Sequence, residues 1–317
     1  MKFRKRVYGV IGIESTMANW NADFSGRPKS TMSGQVFGSD KALKYAIKHY
    51  WAENGEKVLY IKSYMLGKKT GKLIPRDLTE RYAYLFGEEV MKDDGSAKVL
   101  ANLFSAIDVM NFGATFAVNK QNIGLTGVVQ IGQGLNKYED TKTEIQDILS
   151  PFRNSKKEEV NDSGQKDASS IGKKIISDEA HYFYPFSVNP YNYDPYVELV
   201  EGFEGYTEEA YQKFKEAALL SATALNTNSK SGCANEFALF ITCKEGSKLY
   251  LPQLDNYLVY KKTGNKSIVD LVDVAALIEP YATEIEQAEI YYDPYKLEAT
   301  STDRFELKNL FTKEPVK

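Results

Sequence analysis

Apolar and polar positions alternate from residue 5 to residue 13, with Val7, Gly9, Ile11 and Ile13 on one face, which predicts a first, central strand. From 14 to 38 the periodicity vanishes. A span of that length, rich in Ser, Thr, Asn and Gly, is rarely idle in a compact domain. Ser39 or Asp40 then caps a run in which Leu43, Ala46, Ile47, Tyr50 and Trp51 recur at helical spacing until Asn54-Gly55, with Lys41, Lys44 and Lys48 on the opposite face. Residues 57–64 read as a second strand, completing a β-α-β unit.

Two further helices are predicted near 77–86 and 97–109, the second with Leu100, Leu103, Phe104 and Ile107 as its core stripe, and they have the look of an insertion. A strand over 126–133 opens into Gly132-Gln133-Gly134, where glycine lets a neighbour or a ligand approach the backbone. Residues 156–174 are the most polar of the chain and are expected to project as a mobile hairpin or loop. Residues 181–188 give a third sheet segment, Thr207-Glu208-Glu209 caps a helix to Leu225, and 236–243 form the next strand. Without the insertions the order is strand, helix, strand, strand, helix, strand. That is an α+β chain in the ferredoxin-like arrangement of RNA-recognition motifs. Residues 257–261, 267–279 and 288–292 add a hairpin edge and a helix.

With 317 residues, 43% hydrophobic and 26% charged, the chain is neither disordered nor collagen-like nor a disulfide miniature. The early apolar run is broken by Gly9 and Gly12 and ends at Glu14, so a soluble, cytoplasmic protein without a membrane partner is expected. Cys233 and Cys243 have no CxxC context, which argues against structural zinc and a disulfide framework. His49 and His181 are the only histidines, too few for the usual triads and multi-histidine metal sites. No phosphate-binding glycine motif opens a helix, so no cofactor is expected. Tyr182, Phe183, Tyr184 and Phe186 read as a half-buried strand rather than as a base-stacking pair.

Charge changes this picture. The formal net charge of −3 conceals 14 Lys and Arg against 5 Asp and Glu in residues 1–75. The basic residues are either a scattered, solvating set or an anion surface. Asn19, Asn21, Arg27, Lys29, Ser33, Gln35, Ser39, Lys41, Lys44 and Lys48 supply amide, hydroxyl and cationic donors around a helix start, a chemistry that suits phosphates. Asp40 acts against an anion there, and a loop that only covers the sheet is the other reading.

The run from Asn19 to Lys29 with Gly34, Ser39-Asp-Lys-Ala-Leu-Lys44 and Ile47-Lys-His-Tyr-Trp51 resembles the crRNA-binding backbone subunit of type I CRISPR Cascade, most closely type I-B, in the RAMP superfamily. Ile107-Asp-Val, Phe112-Gly113, Thr126-Gly-Val-Val-Gln130 and Thr227-Asn-Ser-Lys-Ser-Gly232 extend the likeness, with Val128 where the family usually has proline. Gln133 and Lys230 join the RNA-binding set.

The resemblance implies a modified RRM palm whose first half is 1–64, carrying the RNA-binding loop 14–38. It further implies a helical insertion at 65–119, a palm strand segment at 120–150, a protruding thumb at 151–180 and a second palm half at 181–317. Lys156, Lys157, Ile171, Lys173, Lys174 and Ile175 would belong to the thumb. Implied partners are crRNA, target DNA, further copies of the chain, a large subunit, a crRNA 5′-end-binding subunit and a crRNA-processing endonuclease. The implied role is non-catalytic, with neither metal nor cofactor. Two rivals remain: a metal-dependent RNA endonuclease using Asp23, as in related type III backbones, and a generic single-stranded RNA-binding protein. A lone Asp23 is otherwise a loop-ordering acceptor.

Overall fold

The computed structural model describes residues 1–90, 95–153 and 168–316 in a mixed α+β architecture. Strand β1 (Val7–Ala18) runs on past Ile13, and the short β2 (Phe37–Gly38) leads into α1 (Asp40–Glu53), with Ser39 as its N-cap. The predicted second strand is absent from 57–63. Leu59 and Tyr60 give their backbone N–H groups to the buried Asp108 carboxylate at 2.8 and 2.7 Å, and Arg81 donates to the Val58 carbonyl, so a side-chain frame satisfies backbone that a sheet would otherwise pair.

A separate ribbon follows, β3 (Tyr64–Leu66) with β4 (Leu73–Pro75), and then α2 (Leu78–Phe86) behind an Asp77/Glu80 capping box. The helix predicted over 97–109 is two helices, α3 (Ser96–Phe104) and α4 (Ile107–Phe112), because the Ile107 N–H turns away to the Lys57 carbonyl at 2.8 Å. Next comes an unanticipated hairpin of β5 (Gly113–Val118) and β6 (Gln121–Thr126), then β7 (Val129–Ile131) and β8 (Gly134–Asn136).

Strands β9 (Thr143–Arg153) and β10 (Ala168–Val188) pair antiparallel from Ser177↔Thr143 to Ala168↔Arg153. Residues 168–174, expected in a mobile projection, are thus strand-paired with β9, with register shifts between Ala168 and Gly172, while 154–167, including Lys156 and Lys157, lie outside the described residues. The chain continues through α5 (Glu208–Ala224), β11 (Cys233–Cys243), β12 (Val259–Thr263), β13 (Lys266–Asp270), α6 (Val272–Ile278), β14 (Ile285–Tyr292), β15 (Leu297–Thr300) and β16 (Glu306–Asn309).

The main sheet has the order β16-β14-β11-β1-β10-β8-β2, with β7 and β9 also paired to β10. Beside β10, opposite β1, lie β7 and β8. Alternation along the central strands divides two cores. Val7, Ile11, Tyr182, Tyr184, Phe186 and Phe240 face α1 and α5, while Val10, Phe183, Phe237 and Leu239 face β13 and α6. Both cysteines are buried and unpaired by disulfide.

One buried ion cluster ties the sheet to that second layer. His181 of β10 meets Glu236 of β11 through Nδ1 at 2.9 Å and Glu179 through Nε2 at 3.0 Å, and its ring stacks on Tyr260 of β12 at 4.7 Å. Lys262 of β12 also reaches Glu179. Burial alone would depress the imidazole pKa, but the two carboxylates outweigh it and push it up to about 9. A folded-state pKa above the unfolded 6.5 gives stability that is complete below pH 6.5 and lost as pH rises through about 9. Urea titrations from pH 6 to 10 are therefore expected to show the wild type losing about 2–3 kcal/mol that His181→Gln does not lose. Parallel curves for the two proteins would dismiss the cluster as a source of stability.

Candidate nucleic-acid interface

Between β1 and β2 the aperiodic segment is an ordered pair of turns. Ala22 bridges Pro28 and Ser30 bridges Val36. In the first turn the Asp23 N–H donates to the Arg27 carbonyl at 2.8 Å and the Gly26 N–H to the Asp23 carbonyl at 3.1 Å. The Asp23 carboxylate accepts from the Ser25 hydroxyl and N–H, both at 2.8 Å, and from the Arg27 N–H at 3.0 Å. The Ser25 hydroxyl is the main cause of its lowered pKa, and backbone donors add to it. Asp23 is accordingly built into the turn as an acceptor. Among the described residues no group of three or more His, Cys, Asp or Glu side chains could hold a metal ion.

The turns are fixed from beneath. Trp20 is buried and donates its indole N–H to the buried Tyr184 hydroxyl at 2.6 Å. Tyr184 fits only because Gly38 and Gly134 lack side chains: a Cβ would fall 1.8 Å from its hydroxyl at Gly38 and 2.4 Å from its ring at Gly134. The close approach read into Gly132-Gln133-Gly134 is thus to a core tyrosine. Asn19 donates to the carbonyls of Gly26 and Ile175, each at 3.0 Å, stitching the first turn to the base of the β9–β10 hairpin. Asn21 accepts from the Ser39 N–H at 2.8 Å and so joins the turns to the start of α1.

The predicted binding residues separate into two groups. Arg27, Lys29 and Lys41 make no salt bridge among the described residues; Arg27 and Lys41 are exposed, and Lys29 lies 5.5 Å over the Phe37 ring. Ser33 and Gln35 are exposed on the second turn, and exposed Gln133 donates to Asp40 at 3.3 Å beside Lys44, which pairs with the same carboxylate at 3.3 Å. Lys173, Lys174 and Ile175 lie along β10 next to this surface, and Ile171 lies on the same strand.

Asn19, Ser39, Lys48 and Lys230 belong to the frame instead. Asn19 and Ser39 are buried. Lys48 donates to the Tyr60 carbonyl at 2.8 Å, and Lys230 to the Asn19 carbonyl at 2.6 Å; burial lowers the pKa of both ammonium groups. The early basic excess is likewise partly consumed inside the fold. Lys2 and Arg4 pair with Asp194, Lys5 pairs with Glu286, and Arg6 lies over the rings of Tyr191 and Tyr250.

Sequence reasoning passed over Trp20 and Tyr184 as parts of the site. The available signal was Tyr184 in an apolar strand, with Gly38 at the end of the loop. Filling that slot should be costly. Gly134→Ala is expected to lower stability by about 1–3 kcal/mol. It should also shift the Trp20 emission to the red when measured in a Trp51→Phe background. Unchanged stability and emission would show that the slot is not filled by Tyr184.

No curated protein matches the chain. A solved chain titled "CRISPR RNA-guided surveillance complex, pre-nicking" is similar in fold, with a TM-score of 0.52 at 14% identity, covering 95% of this chain and 96% of that one. The family model for CRISPR-associated protein Cas7 matches residues 5–282. That match takes in β1, the paired turns, the β9–β10 hairpin and β11, ending before β14, and the chain belongs to the Cas7 family.

Proposed function

We propose that the chain is a non-catalytic, crRNA-binding backbone subunit of a CRISPR surveillance complex, of type I-B, acting in the cytoplasm against foreign nucleic acid. Membership of the Cas7 family over residues 5–282 carries this reading. The strand order β11-β1-β10-β8, with α1 and α5 over one face, supports a ferredoxin-like, RRM-type palm. The segment with α2 to α4 would be its helical insertion, and the β9–β10 hairpin would be the thumb. Copies would stack head to tail along the guide, a heterologous contact that propagates instead of closing. The guide would then be presented for pairing with target DNA, and protein contacts would serve to hold backbone and shape. A large subunit, a 5′-end-binding subunit and a processing endonuclease would complete the complex. Among the described residues no helix is long and apolar enough to cross a membrane.

The cations divide into those able to meet phosphates and those holding the frame, and salt dependence separates them. Arg27→Ala, Lys29→Ala and Lys41→Ala are each expected to weaken single-stranded RNA binding for all sequences and to flatten the log–log salt dependence by about 0.7. Lys230→Ala should lower stability while leaving the slope of the folded fraction in place. Three unchanged slopes would remove the paired turns from the RNA site.

The non-catalytic assignment rests on Asp23 being spent on its turn, and assembly supplies the test. On guides of graded length with Mg²⁺ present, particle mass should rise stepwise while complementary RNA stays intact. Cleavage abolished by Asp23→Ala would instead identify the nuclease, and a fixed mass at every length would favour a generic RNA binder.

A further inference from the structure

The two turns are the same device used twice, eight residues apart. Asp23-Phe24-Ser25-Gly26 and Thr31-Met32-Ser33-Gly34 align position by position. In each, the first residue's N–H donates to the carbonyl four residues on, at 2.8 Å from Asp23 to Arg27 and 2.9 Å from Thr31 to Gln35. The glycine N–H returns to the first residue's carbonyl, at 3.1 Å in one and 3.0 Å in the other. Each glycine is left-handed, φ 81° at Gly26 and 89° at Gly34, which is the three-residue hairpin loop that demands glycine there. The first side chain meets the serine two residues later in both, Asp23 to Ser25 and Thr31 to Ser33, each at 2.8 Å.

At the second position of each turn stands a large apolar residue, and both Phe24 and Met32 are fully exposed. Nothing in the turn requires this. The position accepts polar residues, which would cost no exposed apolar surface. Single exposed apolar residues are ordinary, but two at the equivalent position of a repeated, hydrogen-bonded turn form a matched pair held out on rigid backbone. The surroundings state what the pair would meet. Arg27 follows the first turn and Lys29 joins the two, both without a salt bridge among the described residues, so the apolar tips rise from a cationic base. A partner that offers flat apolar faces at a regular spacing along an anionic chain is a single-stranded nucleic acid.

We infer that Phe24 and Met32 are twin prongs that pack against bases of the bound strand while Arg27 and Lys29 meet its phosphates. This rests on the RNA-binding reading above and deepens it. Aromatic and thioether side chains suit such contact because every base has a π-face, so the contact is independent of sequence.

The two halves of the inference respond differently to salt. Packing against a base releases no counterion, so Phe24→Ala should weaken binding of the full chain to a 2-aminopurine-labelled single-stranded RNA about 5- to 100-fold with an unchanged salt slope. Met32→Ala should act in the same direction with a smaller change, and Phe24→Trp should restore affinity and quench the probe. Phe24 and Met32 are fully exposed, so these variants fold as the parent does. Flattened slopes for Arg27→Ala and Lys29→Ala with full affinity for Phe24→Ala and Met32→Ala would overturn the prongs and leave the RNA-binding reading intact. No binding by the parent would sink that reading itself. Variants that bind one RNA site normally but fail to add further copies would overturn the prongs in favour of a contact between subunits.

Discussion

The length and pairing of β10 is the constraint on which the rest depends. Its second half, Ser177–Val188, lies against β1, which is itself paired on its other edge to β11. Its first half runs past the end of β1 and pairs with β9. One continuous strand therefore belongs both to the core and to the projecting hairpin. Because β1 ends where β10 begins to project, the chain leaving β1 at Ala18 emerges at the hairpin base, where Asn19 bonds to the Ile175 carbonyl. The position of the paired turns is thus a consequence of strand register, and a slip of one residue would turn Tyr184 out of the core along with every other alternating side chain.

Tyr184 transmits that register to the surface. It is wholly buried, its hydroxyl accepts the Trp20 indole, and its ring occupies space left by two glycines from separate parts of the chain. A buried polar pair in which the indole donor is satisfied favours one arrangement over slipped alternatives, since a displaced Trp20 would leave a donor unmet in apolar surroundings. The order of the turns is then inherited from the core and does not have to be generated within the eighteen residues between β1 and β2.

The parts of the fold with strong periodicity were legible in the sequence. The α1 stripe of Leu43, Ala46, Ile47 and Trp51, the Ser39 and Thr207 caps, and the alternation in β1 and β11 all lie where local pattern places them. Residues 57–63 were misread because β-branched and aromatic content signals burial as much as strand. The deciding partner, Asp108, is far away in sequence, and its carboxylate cannot be assigned to two distant N–H groups from local pattern. The break between α3 and α4 has the same origin, a long-range bond from Ile107 to Lys57. At the candidate site, residue type alone could not divide Lys48 and Lys230 from Lys29 and Lys41. All four are lysines, and burial distinguishes an ammonium that caps a carbonyl from one that faces water.

That division has a further consequence for recognition. A flexible lysine brought to a phosphate loses rotamer freedom on binding, and a flexible loop loses far more. Here the loop's share is already met in folding. Lys230 holds the Asn19 carbonyl, Asn19 holds the first turn, Asn21 holds the start of α1, and Asp23 closes its own turn. The polar groups that sequence chemistry would have assigned to an anion are mostly spent on keeping backbone in place. The few cations left over are presented from a frame that does not have to order on binding; on the RNA-binding reading proposed above, each phosphate contact would then be individually weak and sequence-blind.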